Sequence, residues 1–136
     1  MRGLQLTADL HGCADASAAL TDPAALREAC LAAVDAAGLT AVGELFHRYA
    51  PVPGAAADAP VGITGVVLLA ESHLAVHTWP ELAAATLDVY VCNLGRDNSA
   101  CAHDLLERLI AIFAPAQVER QARDRGNPPL HDGVSR

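Results

Sequence analysis

An α+β fold is predicted, a two-layer sandwich in which two helices cover one face of a mainly antiparallel sheet. Three observations predict it. Several short segments alternate apolar and polar residues with a period of two, as half-buried strands do. Two longer segments carry apolar stripes at helical spacing. The strand-like segments in the middle of the chain follow one another closely, which favours antiparallel pairing.

Taken in order, residues 3–10 place Leu4, Leu6, Ala8 and Leu10 on one face and Gln5, Thr7 and Asp9 on the other, a strand with one buried side. Residues 14–21 are small and polar and read as a loop. A helix follows with clear punctuation: Asp22 at the N-cap, Pro23 at the first helical position and Gly38 as the stop. Leu26, Cys30, Ala33, Val34 and Ala37 form its inner face. Residues 39–49 return to strand character, with Val42, Leu45 and Phe46 among the apolar positions. Residues 50–62 hold Pro51, Pro53, Gly54 and Pro60 among alanines, which reads as an exposed loop.

The run 63–70 is apolar enough to be buried on both faces or in a subunit interface. Residues 74–78 continue extended until Trp79-Pro80, and 86–92 form another strand. The second helix spans about 98–113, its stripe made by Ala102, Leu105, Leu106, Leu109, Ile110 and Phe113, and Pro115 ends it. Residues 117–123 read as an edge strand and 126–136 as a flexible tail. Two helices cover one sheet face, so the other is solvated or buried against a second copy. The apolar runs favour the second copy.

A chain of 136 residues with 52% hydrophobic and 18% charged residues is globular and most simply one domain, residues 1–136. Asp9 and His11 interrupt any signal-peptide core, and no apolar run reaches the roughly 20 residues of a membrane span, so the chain reads as soluble and cytoplasmic. The net charge of −7 argues against nucleic acid and suits a cationic small molecule. Arg120, Arg123 and Arg125 alternate with Asp and Gln, as on a solvated edge. The four cysteines, Cys13, Cys30, Cys92 and Cys101, form no Cys-x-x-Cys pair, and free thiols are expected.

Chemistry concentrates in residues 62–92. Val66–Ala70 runs straight into Glu71-Ser72-His73, and His77-Thr78-Trp79-Pro80-Glu81 follows. Polar side chains packed among apolar strands are unfavourable unless paired or used. His73 and His77 lie four apart, but on an extended chain that is about 13 Å, too far to share a metal ion. Ser72 lacks the Gly-x-Ser-x-Gly elbow of a hydrolase nucleophile. On the residues alone, the leading reading is that Ser72 and His73 occupy a bulge between two strands.

Glu71-Ser72-His73-Leu74, His77-Thr78-Trp79-Pro80-Glu81 and Asp88-Val89-Tyr90-Val91-Cys92 together resemble the prokaryotic S-adenosylmethionine decarboxylase proenzyme family. Phe46-His47-Arg48-Tyr49 and Gly62-Ile63-Thr64-Gly65-Val66-Val67 extend the resemblance, which covers about residues 3–123. It implies self-cleavage between Glu71 and Ser72 into residues 1–71 (the β chain) and 72–136 (the α chain). Ser72 would become a pyruvoyl cofactor that takes the substrate amine as a Schiff base. By position, Thr64 and His77 match residues that promote processing, His77 as the proton acceptor. Cys92 matches the proton donor in decarboxylation; a thiol with a pKa of about 8.5 still carries its proton at neutral pH. Tyr49, Trp79 and Glu81 match the substrate-binding positions. The resemblance also implies sites built between the protomers of a homodimer.

The implied product is the aminopropyl donor for spermidine synthesis. Four features depart from the family pattern: Thr64 for serine, Tyr49 for phenylalanine, Gln5 where many relatives have histidine, and a Pro/Ala-rich insertion over 52–61. They leave two alternatives open, a pyruvoyl-dependent ornithine or arginine decarboxylase and an unprocessed, non-catalytic paralogue.

Overall fold

The computed structural model describes residues 2–14 and 18–126. Six strands, β1 (Gly3–His11), β2 (Ala41–Arg48), β3 (Ile63–Leu69), β4 (Ser72–Trp79), β5 (Ala84–Cys92) and β6 (Gln117–Arg125), form one sheet in the order β2-β3-β4-β5-β1-β6. Every neighbouring pair is antiparallel. Helices α1 (Pro23–Ala36) and α2 (Ser99–Phe113) pack on one face and against each other. The predicted α+β sandwich is therefore observed, with β6 at an edge as expected.

The helix boundaries follow the capping chemistry. The Asp22 carboxylate accepts hydrogen bonds from the Ala24 and Ala25 amides at 3.0 and 3.4 Å, satisfying donors that the first turn leaves free. At the other end Gly38 takes φ +82° and its N–H reaches the Asp35 carbonyl, which closes α1. Leu26, Cys30, Ala33 and Val34 are buried as the stripe predicts. All six residues of the α2 stripe are buried too. They meet Leu6, Leu10, Leu74, Val76, Leu87 and Val89 from the sheet in one continuous core. Burial pushes the Cys30 thiol up to about 12, so it is an inert core residue.

Of the two readings offered for the segment 63–70, burial on both faces is not seen within the chain. Ile63, Gly65, Val67 and Leu69 are buried, whereas Leu68 is 52% exposed. Its branched side chains alternate like those of any one-sided strand. Val42 and Leu45, apolar positions of the predicted strand, are 64% and 73% exposed on β2, an edge strand. A register shift between Ala41 and Gly43 bulges that edge at Val42, a feature that hinders pairing with another chain. The loop 50–62 is largely exposed, as its prolines suggest, and the expected tail lies almost wholly outside the described residues.

Candidate active site

The β3–β4 hairpin has two chemically distinct ends. At its turn Leu69 pairs with Ser72, so Ala70 and Glu71 are the two loop residues. Such short hairpins usually place positive φ in the loop, to match strand twist. Here Ala70 and Glu71 do not, and the departure falls on Ser72, whose φ is +155°. A residue with a Cβ enters this region at a penalty of about 1–3 kcal/mol.

The bond between Glu71 and Ser72 is also held firmly. The Glu71 carbonyl accepts a hydrogen bond from the Cys92 N–H at 2.8 Å. The Glu71 carboxylate accepts one from the Thr40 N–H at 3.1 Å, and the Ala70 N–H donates to the Thr40 carbonyl. A donor aimed at a carbonyl oxygen is the arrangement that stabilises a developing oxyanion. The Cys92 side chain is half-buried, with its Sγ accepting from the Leu94 N–H at 3.4 Å. A buried Asn98 amide donates to the Cys92 carbonyl at 2.9 Å and fixes the turn beyond it.

At the opposite end Thr64 pairs with His77, five residues further along both strands. At about 3.3 Å per residue this is about 16 Å from Ser72. The Thr64 hydroxyl lies 3.0 Å from His77 Nδ1 and 2.7 Å from the Tyr49 hydroxyl. These three residues, with Trp79 and Glu81, line a cavity of about 280 Å³. The His47 ring meets Tyr49 edge-on at 5.2 Å, and the His77 and Trp79 rings lie 6.1 Å apart. An aromatic pair, a carboxylate and an imidazole in one cavity suit a planar, cationic or hydroxyl-bearing ligand.

The predicted residues thus fall into two groups. Glu71, Ser72 and Cys92 come together at the turn; Tyr49, Thr64, His77, Trp79 and Glu81 come together at the cavity. One chain does not unite the groups.

The supports around the cavity are not legible in the sequence. Thr78 is buried between the cavity residues on either side, accepts from the Ile63 N–H at 2.9 Å and donates to the Leu20 carbonyl at 2.8 Å. Gly62 lies so close to the Thr78 carbonyl that a Cβ there would clash. The open sheet face beyond carries Asp88, Gln5 and Tyr90, with Arg125 donating to Gln5 at 2.9 Å and lying 5.1 Å from the Tyr90 ring centre. Thr78 stands in the His-Thr-Trp-Pro-Glu motif, but nothing in the sequence distinguishes a strut from a ligand.

Fold and site define a small α+β enzyme domain built around a strained hairpin turn. Residues 4–126 match the family model described as S-adenosylmethionine decarboxylase. An S-adenosylmethionine decarboxylase proenzyme of Persephonella marina is 35% identical over 130 residues, covering 95% of this chain and 86% of that one. Its counterpart from Aquifex aeolicus is 36% identical, covering 91% and 81%. The crystal structure of the Aquifex aeolicus adenosylmethionine decarboxylase superposes with a TM-score of 0.75 at 31% identity, over 98% of this chain and 97% of that chain. The chain belongs to the S-adenosylmethionine decarboxylase family.

Proposed function

We propose that the chain is a self-processing, pyruvoyl-dependent S-adenosylmethionine decarboxylase that works as a homodimer. The observation that carries this reading is the Glu71–Ser72 junction, where a strained serine follows a carbonyl already held by a backbone donor. Ser72 Oγ attacks the Glu71 carbonyl carbon and its proton passes to a base. The Cys92 N–H steadies the oxyanion, and collapse moves the acyl group from nitrogen to oxygen. Strain in the starting strand helps, because leaving the peptide form relieves it. Removal of the Cα proton at residue 72 then expels the Glu71 carboxylate. Tautomerisation and hydrolysis with one water release ammonia and leave the pyruvoyl group at position 72.

The residues present fit that group: a serine to form it, a strand end to hold it and a thiol beside it. When present, its carbonyl takes the substrate amine and accepts the electron pair that carbon dioxide leaves behind. Cys92 delivers the proton to the substrate carbon. Its side chain can serve there while its backbone serves processing, because the two use different atoms.

The base for processing is His77, with Thr64 beside it, and both belong to a second copy. Their distance of about 16 Å from Ser72 within one chain supports a site shared between protomers. The open sheet face, with half-buried Val66 and exposed Leu68, is the surface such a copy would cover. Tyr49 and Trp79 would flank the adenine or the sulfonium, and Glu81 would take the ribose hydroxyls. This aromatic cavity supports S-adenosylmethionine over ornithine, which has no planar group to stack, and the family match supports it over arginine, whose guanidinium can stack.

Denaturing mass spectrometry tests the reading: the expressed chain should resolve into fragments 1–71 and 72–136. An intact chain after prolonged incubation would sink it. A carbon-dioxide release assay with S-adenosylmethionine, ornithine and arginine side by side should show turnover of the first.

A further inference from the structure

We infer that the Pro/Ala-rich loop, residues 50–61, extends the substrate cavity, holds the outer edge of the purine and selects for adenine. This placement rests on the proposed substrate and on His77 as the processing base. The loop is pinned at both ends and turned within. The Tyr49 N–H, just past β2, donates to the Gly62 carbonyl, just before β3, at 3.0 Å. Between them the Ala55 N–H donates to the Val52 carbonyl and the Ala59 N–H to the Ala56 carbonyl, each at 3.0 Å. A surface segment with joined ends and its own internal turns is an Ω-loop, a kind that often carries function.

Pro51, Val52, Ala55, Ala59, Pro60 and Val61 line a recess of about 370 Å³ under this loop. Tyr49, Gly62 and Glu81 line that recess and also the cavity that holds Thr64, His77 and Trp79. The two spaces therefore meet at an aromatic ring and a carboxylate. In S-adenosylmethionine the ribose lies between the base and the sulfonium, so a ribose held by Glu81 sends its two substituents into different spaces. The amino-acid end must reach residue 72, which is where His77 works, and His77 lines the cavity alone. The base then passes over Tyr49 into the recess. The reverse placement would bury an ammonium and a carboxylate among prolines and alanines, away from the reacting bond, at a prohibitive desolvation cost.

The recess also has a chemical bias. Pro51 and Pro60 have no N–H, and the Ala55 and Ala59 N–H groups are already used inside the loop. What the loop has left is mainly carbonyl oxygen, each able to accept a second hydrogen bond. Adenine presents an amino group at its outer edge, a donor that suits such a lining. Hypoxanthine presents a carbonyl oxygen at the same position and would face acceptors.

The test follows Trp79, the single tryptophan of the chain and part of the cavity lining, by fluorescence in the native protein. The probes are 5′-methylthioadenosine and 5′-methylthioinosine. Native protein should bind the adenosine form more tightly. Ala55→Phe, which fills the recess, and replacement of residues 53–59 by Gly-Gly, which removes its wall, should each weaken that binding about ten-fold. The shortened loop should also narrow the preference for adenosine over inosine. In turnover, KM for S-adenosylmethionine should rise in both variants with kcat, self-cleavage and thermal unfolding unchanged. Undiminished binding in both variants, an unaltered preference, or loss of the dimer in place of ligand affinity would each overturn the inference alone. Native protein that binds neither nucleoside would overturn the proposed substrate along with it.

Discussion

The two ends of the β3–β4 hairpin are built on opposite plans. The turn end relies on backbone: a positive φ at Ser72, a carbonyl held by an amide and a carboxylate tied to Thr40. The cavity end relies on side chains, with a hydroxyl pair, an imidazole and an indole around a space of about 280 Å³. In the proposed reaction the turn brings the Glu71–Ser72 bond, and the cavity brings the His77 imidazole as the base. Each end supplies what the other lacks, which is why the proposed site needs two copies of the chain.

The largest expected effect comes from mixing defective chains. Ser72→Ala should abolish cleavage completely, and His77→Ala should abolish or nearly abolish it. Co-refolding the two should restore cleavage in the His77→Ala chain, whose intact Ser72 then meets an intact His77 on its neighbour. No fragments from the mixture, seen by mass spectrometry, would mean that each chain processes itself alone. Next comes Cys92→Ala, which separates side chain from backbone within the turn. Turnover should fall by about two orders of magnitude, while fragments 1–71 and 72–136 still form because the residue-92 N–H remains. Loss of cleavage as well would deny that separation. The smallest effect is expected far from both ends: Asp22→Ala removes the α1 cap and should cost about 1 kcal/mol in urea unfolding, with cleavage intact.

Much of this plan is legible in the amino-acid sequence. Asp22, Pro23 and Gly38 punctuate a helix through local chemistry that needs no tertiary context. The α2 stripe likewise reports its own burial. The exposure of Val42 and Leu45 is not legible there, because an apolar residue in a strand says nothing about whether its neighbour is a core or an edge. Leu68 has the same ambiguity: its apolar side chain lies 52% exposed on the open sheet face. The polar residues of 64–77 stand out as a set, yet their division into two groups is invisible in the sequence. A hairpin turn at residues 70–71 sends Thr64 and Ser72 to opposite ends, although only eight positions separate them. The Cys92 amide on the Glu71 carbonyl carries no signal at all, since every residue but proline has an N–H.

Strand order has a further consequence. A break after residue 71 would assign β1, β2 and β3 to one fragment and β4, β5 and β6 to the other, with α1 in the first and α2 in the second. In the sheet, however, β1 lies between β5 and β6, and β3 lies against β4. The fragments interlock through three ladders and a shared core, so the cut severs connectivity without releasing either piece. What changes is molecularity. The intact chain keeps its two halves together at any dilution, whereas the cut protomer must find its other half, which adds a concentration dependence to its unfolding midpoint. Cleavage would turn a fold that re-forms freely into one that persists because it was made before it was cut.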